Sequence, residues 1–108
     1  MEIKHILNRE KNNEGYIYFY AVDEDKFVAY ELSAYILTHL YPFVTLEKKY
    51  MNEVGVEIYV AQFDADFCRK HFSGDNVLVD DDYIQVSVVQ ENSLRYEKWM
   101  NRFAQLRQ

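Results

Sequence analysis

Apolar residues recur along this chain with two beats. One is the two-residue alternation of a pleated strand, the other the three-to-four-residue spacing of a helix. Residues 16–22, Tyr-Ile-Tyr-Phe-Tyr-Ala-Val, give the clearest strand, rich in aromatic and β-branched side chains. Tyr16, Tyr18 and Tyr20 share one face and Ile17, Phe19 and Ala21 the other, so both faces carry apolar bulk, as in a central strand. Residues 3–8 predict a first strand, joined to the second by a loop ending at Gly15. The polar break at residues 23–26 predicts another hairpin loop, and residues 27–32 a returning strand with Val28, Tyr30 and Leu32 on one face. A rival reading remains open, because Phe27, Tyr30, Ala34, Leu37 and Tyr41 also fit one helix over residues 24–41. The preferred reading is a strand and then a helix, capped by Ser33 and stopped by Pro42, which has no amide to continue a helix.

Residues 44–51 and 54–63 read as a further hairpin around Asn52-Glu53-Val54-Gly55. Val56, Ile58 and Val60 alternate there with Glu57, Tyr59 and Ala61. Asp64 is placed to cap a short helix, with Gly74 ending it in a left-handed conformation. An acidic loop, Asp80-Asp81-Asp82, precedes a last strand over residues 83–89, whose apolar face is Ile84, Val86 and Val88. The final helix has the best pattern. Capped by Asn92 or Ser93 and running to about Arg107, it gathers Tyr96, Trp99, Met100, Phe103, Ala104 and Leu106 into one arc. These elements predict an α+β fold: one domain over residues 1–108, with five or six mainly antiparallel strands and two or three helices packed mostly on one face. The long C-terminal helix is expected to close the core.

Composition changes this picture at two points. Of 108 residues 17% are aromatic, including ten tyrosines, an out-of-the-ordinary share. The formal net charge of −6 sets the overall field against phosphate backbones and anionic lipids, so nucleic acid is not an expected partner. The single cysteine, Cys68, cannot form an intrachain disulfide, and no stretch approaches the roughly 20 apolar residues of a membrane span. The N-terminal residues lack the apolar run of a signal peptide. The expected location is cytoplasmic, without membrane attachment.

Candidate chemistry is sparse. Cys68 and His71 lie three apart on the helix after Asp64, so a shared metal or a Cys–His nucleophile pair is geometrically conceivable. Zinc needs three or four ligands, however, and both residues also fall on that helix's apolar arc, where a cysteine acts as a small hydrophobe. The acids at 75 and 80–82 do not follow the spacing of a calcium loop, and His5 and His39 are isolated. Gly15, Gly55 and Gly74 are too far apart to build a phosphate loop. No cofactor is implied and no catalytic residue is assigned.

The Tyr16, Tyr18 and Tyr20 stripe is the most unusual feature. It suits either a core beneath helices or a protein–protein surface. The leading expectation is a non-catalytic interaction module that binds a protein partner or itself. The alternative is a ligand-binding domain or small enzyme, with tyrosines, His71 or His39 lining a pocket of roughly 300 Å³ or more between sheet and helices. A weaker third reading, an acidic decoy for a nucleic-acid-binding protein, requires the carboxylates to line up on one side.

Overall fold

The computed structural model describes residues 2–107, without the side chains of residues 89–93. Four helices and six strands follow in the order α1 (Ile3–Lys11), β1 (Tyr16–Ala21), β2 (Lys26–Tyr30), α2 (Glu31–Leu40), β3 (Glu47–Met51), β4 (Val56–Asp64), α3 (Ala65–His71), β5 (Val77–Val79), β6 (Ile84–Ser87) and α4 (Val89–Arg107). The strands form one antiparallel sheet in the order β3-β4-β2-β1-β6-β5, so the α+β fold expected from the pattern is present. Tyrosine-rich β1 is central, with Phe19 opposite Ala29 of β2 and Ile84 of β6.

Both faces of the sheet are covered. On one, Ile17, Phe19, Ala61, Phe63 and Val86 meet Ile36 and Leu37 of α2, Cys68 of α3, and Tyr96 and Trp99 of α4. On the other, Tyr20, Val28, Ile58 and Val60 meet Ile6 of α1, with Ile3 and Leu7 packed alongside. The adjacent residues of β1 and β4 divide cleanly between these clusters, as the period of two requires.

Several expectations change. Residues 3–8 belong to a helix, not a strand. Ile3, Ile6, Leu7 and Glu10 recur at helical spacing, and the run is long enough to lay them along one side. Among the described residues there are consequently four helices rather than two or three, and the six strands include the three-residue β5, which the sequence pattern does not mark. The single helix over residues 24–41 does not form. The strand ends at Tyr30 and α2 begins at once, through Glu31 at φ 49°, an uncommon conformation for a residue other than glycine. Leu32 therefore lies in α2. Ser33 is not its cap but a buried residue of its first turn.

The strand expected over residues 44–51 shortens to Glu47–Met51, because Val44 is drawn into the core. Val56, expected on an apolar face, is exposed. Asp64 does cap α3, its Oδ1 accepting the Phe67 amide at 2.8 Å. Gly74 does not end that helix. Phe72 is its C-cap, and the left-handed glycines are Gly15 and Gly55. In α4 the expected arc is buried at Tyr96 and Trp99 and half-buried at Phe103, while Met100, Ala104 and Leu106 stay exposed. The cap expected at Asn92 or Ser93 concerns side chains outside the described residues, and α4 itself starts at Val89.

Candidate functional site

The tyrosine stripe lies largely under α1. Tyr20 is buried, with 5% of its surface exposed, and Tyr16 and Tyr18 are half-buried. Arg9 of α1 donates from Nη1 to the Tyr20 hydroxyl at 3.1 Å, and its guanidinium sits 3.9 Å from the centre of the Tyr83 ring. Burial pushes the Tyr20 hydroxyl up to about 12, against the stabilising pull of Arg9. Tyr18 meets Tyr83 edge-on at 5.5 Å. The stripe thus borders an arginine-capped tyrosine cluster and is not a bare platform.

Cys68 and His71 part company within α3. Cys68 points into the core, where burial raises its thiol above the usual range and keeps it protonated. Asp64, one turn earlier, is engaged as the helix cap. Among the described residues no group of three or more His, Cys, Asp and Glu side chains is placed to hold a metal ion. His71 lies outside the core, half-buried among aromatic rings: Tyr41 and Phe67 are each 4.6 Å away, and Phe43 is 6.3 Å away. The other two histidines are exposed, His5 on α1 and His39 on α2. The Nδ1 of His39 is 2.8 Å from the Tyr35 carbonyl oxygen.

Phe43 completes this patch. It stands in the turn Tyr41-Pro42-Phe43-Val44, closed by the Val44 amide donating to the Tyr41 carbonyl at 2.9 Å. Proline at the second position pre-sets the backbone of such a turn. The Phe43 ring is 69% exposed, yet it meets Phe67 edge-on at 5.4 Å, and Phe67 meets Tyr41 at 5.1 Å. A groove of about 360 Å³ runs beside it, bordered by Phe43, Phe67, Glu47, Gln62 and Asp64. Sequence reasoning placed His71 but missed Phe43. The available signal was an aromatic residue directly after a helix-stopping proline, where periodicity gives it no core position.

The sheet register also gathers acids. Ala21 pairs with Phe27 at the β1–β2 turn, Val79 with Ile84 at the β5–β6 turn, and Lys26 with Asp64 at the end of β4. Because Phe19 faces both Ala29 and Ile84, the loops carrying Asp23-Glu24-Asp25 and Asp80-Asp81-Asp82 leave the same end of the sheet as Asp64. The α3 helix and its aromatic patch start from that end.

A second polar centre was not anticipated. Glu10 of α1 is 5% exposed and accepts two hydrogen bonds from Ser33 of α2: the backbone amide to Oε1 at 2.7 Å and the hydroxyl to Oε2 at 2.6 Å. Ser33 Oγ in turn accepts the Tyr18 amide at 2.9 Å, just beyond the last β1–β2 pair. Glu10 thereby caps α2 from another helix, a favourable place for a carboxyl at the positive end of the dipole. Burial nonetheless dominates and raises Glu10 from 4.5 to about 8; Glu31 also raises it, while the Ser33 bonds and Arg9 lower it. Glu31 is held between the Tyr59 amide at 2.8 Å and Arg107 Nε at 3.1 Å, and its carboxyl too is raised by burial.

The fold defines an antiparallel α+β domain with an aromatic surface patch and a buried carboxyl pair. Comparison with known proteins adds no relative: no family model matches the chain, and no curated protein or solved structure is significantly similar to it. Among the described residues no helix is long and apolar enough to cross a membrane.

Proposed function

We propose that this protein is a non-catalytic interaction module whose contact surface is the aromatic patch of Tyr41, Phe43, Phe67 and His71. The observation that carries the reading is Phe43. A proline-fixed turn holds a large apolar ring in water, beside other rings and an open groove. Isolated exposed apolar residues are ordinary, whereas a contiguous aromatic patch rimmed by polar groups marks a contact surface. The groove is bordered by Glu47 and Asp64, and the acidic end of the sheet lies next to it. The fitting partner is a protein segment with an apolar or aromatic anchor flanked by lysine or arginine. The same acids favour a basic partner surface, the ingredient of the decoy reading that the interaction reading absorbs.

A peptide-display selection against the protein tests this. It should enrich an apolar anchor with basic neighbours. Phe43→Asp should weaken the selected peptide about tenfold or more with an unchanged melting temperature, since Phe43 is exposed. Sedimentation at rising concentration addresses self-association: a dimer that Phe43→Asp dissolves would make a second copy the occupant. No enriched motif together with a monomer at all concentrations, or binding indifferent to Phe43, would remove the proposal.

A further inference from the structure

The groove beside Phe43 is also a gap in the sheet. β2 pairs with β4 as far as Asp64, whereas β3 pairs with it only from Val56 to Val60. The next rung of the β3–β4 ladder would join Thr45 to Gln62, and no backbone hydrogen bond links them. The chain leaves the ladder there because Val44 is drawn into the core. The last residues of β4 therefore have a strand on one side only. Two bonds fix the direction of their backbone groups. The Tyr59 amide donates to Glu31 Oε2 and the Ala65 amide to the Asp25 carbonyl, both on the β2 side. Successive residues of a strand turn their backbone groups to opposite edges. Ala61 and Phe63 thus face β2, and Gln62 and Asp64 face the gap. Among the described residues no backbone hydrogen bond reaches Gln62 or Asp64 from the gap. Asp64 is still extended, at φ −92° and ψ 171°, so the edge keeps its strand geometry to the end.

We propose that this edge binds its partner as an added antiparallel strand, a peptide whose apolar and basic residues alternate. The proposal rests on the interaction reading above and specifies how the partner lies. The alternation follows from the two faces of the gap. Phe63, Phe67 and Phe43 form one face, their rings in contact at 5.2 Å and 5.4 Å. Glu47 pairs with Val60 and so shares the other face with Gln62 and Asp64. The lining holds two carboxylates and no basic side chain; Lys48 and Lys49 follow on β3 outside it. Asp64 faces Lys26 across β2 and caps α3, which leaves exposed Glu47 as the acid free to meet a cation. An antiparallel residue opposite Gln62 or Asp64 carries its side chain on the Glu47 face and exchanges backbone bonds with β4. The basic residues of the peptide therefore supply the bonding amides, and the apolar ones between them rest on Phe43 and Phe67. Pockets for alternate side chains on an open strand edge are the elements of recognition by strand addition.

Titration of the ¹⁵N-labelled protein with acetyl-Lys-Val-Lys-Phe-Lys-Val-Lys-amide tests the proposal. The Gln62 and Asp64 amides should shift and exchange more slowly with solvent on binding. Methylating the amide nitrogens of the two lysines beside phenylalanine should weaken binding about tenfold or more, whereas methylating the phenylalanine nitrogen should change it little. A peptide of the same residues with its lysines in one block should also bind about tenfold more weakly. Glu47→Lys, at an exposed position, should weaken the alternating peptide with the fold intact. Binding that needs Phe43 but ignores lysine-amide methylation and leaves Gln62 and Asp64 unprotected would overturn strand addition and keep the contact surface. Binding indifferent to Phe43 would remove both. Protection of Gln62 and Asp64 that grows with protein concentration, without peptide, would give the edge to a second copy and overturn the peptide proposal.

Discussion

Glu10 is the residue on which helix docking and pH dependence meet. A carboxyl whose native value rises from 4.5 to about 8 contributes stability that is fully present below 4.5 and lost as pH climbs through 8. Between those values the unfolded chain releases a proton that the native protein keeps, so stability should fall by at most roughly 1.4 kcal/mol per pH unit for this group. Glu31, raised by the same burial, adds in the same direction, tempered by the Tyr59 amide and Arg107. Urea midpoints taken from about pH 5 to about pH 8 should decline for the wild type, and Glu10→Gln should flatten the slope. Parallel curves for the two proteins would show that Glu10 does not hold the proton. Glu10 was invisible in the sequence for a reason that also explains why Asp64 was legible. The Asp64 cap acts three residues along the chain, whereas Glu10 caps a helix whose Ser33 lies 23 residues away. A side chain that closes a helix from elsewhere leaves no local pattern.

At the scale of elements, legibility followed length and the identity of what is buried. The 19-residue α4 repeats its apolar arc over several turns and can be read directly. The 9-residue α1 places Ile3, Ile6 and Leu7 on one side, but the next position of that stripe is Glu10, a buried polar residue that disguises the period. A helix so short has no stability of its own in water. It is held by Ile6 beneath Tyr20, Val28 and Ile58, by Glu10 at the end of α2, and by Arg9 over the tyrosines. Removing the apolar anchor should therefore release the element as a unit. Ile6→Ala should cost about 2–5 kcal/mol, typical of emptying a buried aliphatic site. Hydrogen exchange should accelerate across α1 first, with Tyr20 and Tyr83 becoming more accessible as it lifts. Exchange in α1 that kept pace with the β1–β2 core would show that the helix is not a separately anchored layer. The pattern left the stripe of Tyr16, Tyr18 and Tyr20 open between core and contact surface, because it could not supply the helix whose Ile6 and Arg9 pack over Tyr18 and Tyr20.

For the whole molecule, the sheet's two edges are treated differently, and the acids explain how the weaker one is tolerated. The β3 edge carries exposed Glu47, Lys48 and Lys49, charges that discourage another strand from pairing there. The β5 edge is apolar, with Leu78 at 54% and Val79 at 73% exposure, and a strand edge of this kind invites self-pairing. Asp80, Asp81 and Asp82 follow it immediately, at the same end of the sheet as the Asp23–Asp25 loop, so two copies approaching edge to edge bring like charges together. On this view the acidic run works as a charged gatekeeper. Replacing all three with asparagine keeps polarity at the turn but removes the repulsion and moves the net charge of −6 toward zero. That variant should scatter light at a lower temperature on heating than the wild type. Adding Val79→Lys to it should restore the wild-type onset, because the charge returns directly on the edge. If the asparagine variant stays as clear as the wild type, or if Val79→Lys fails to rescue it, the acids do not guard β5, and their convergence at one end is left to the basic partner of the aromatic groove.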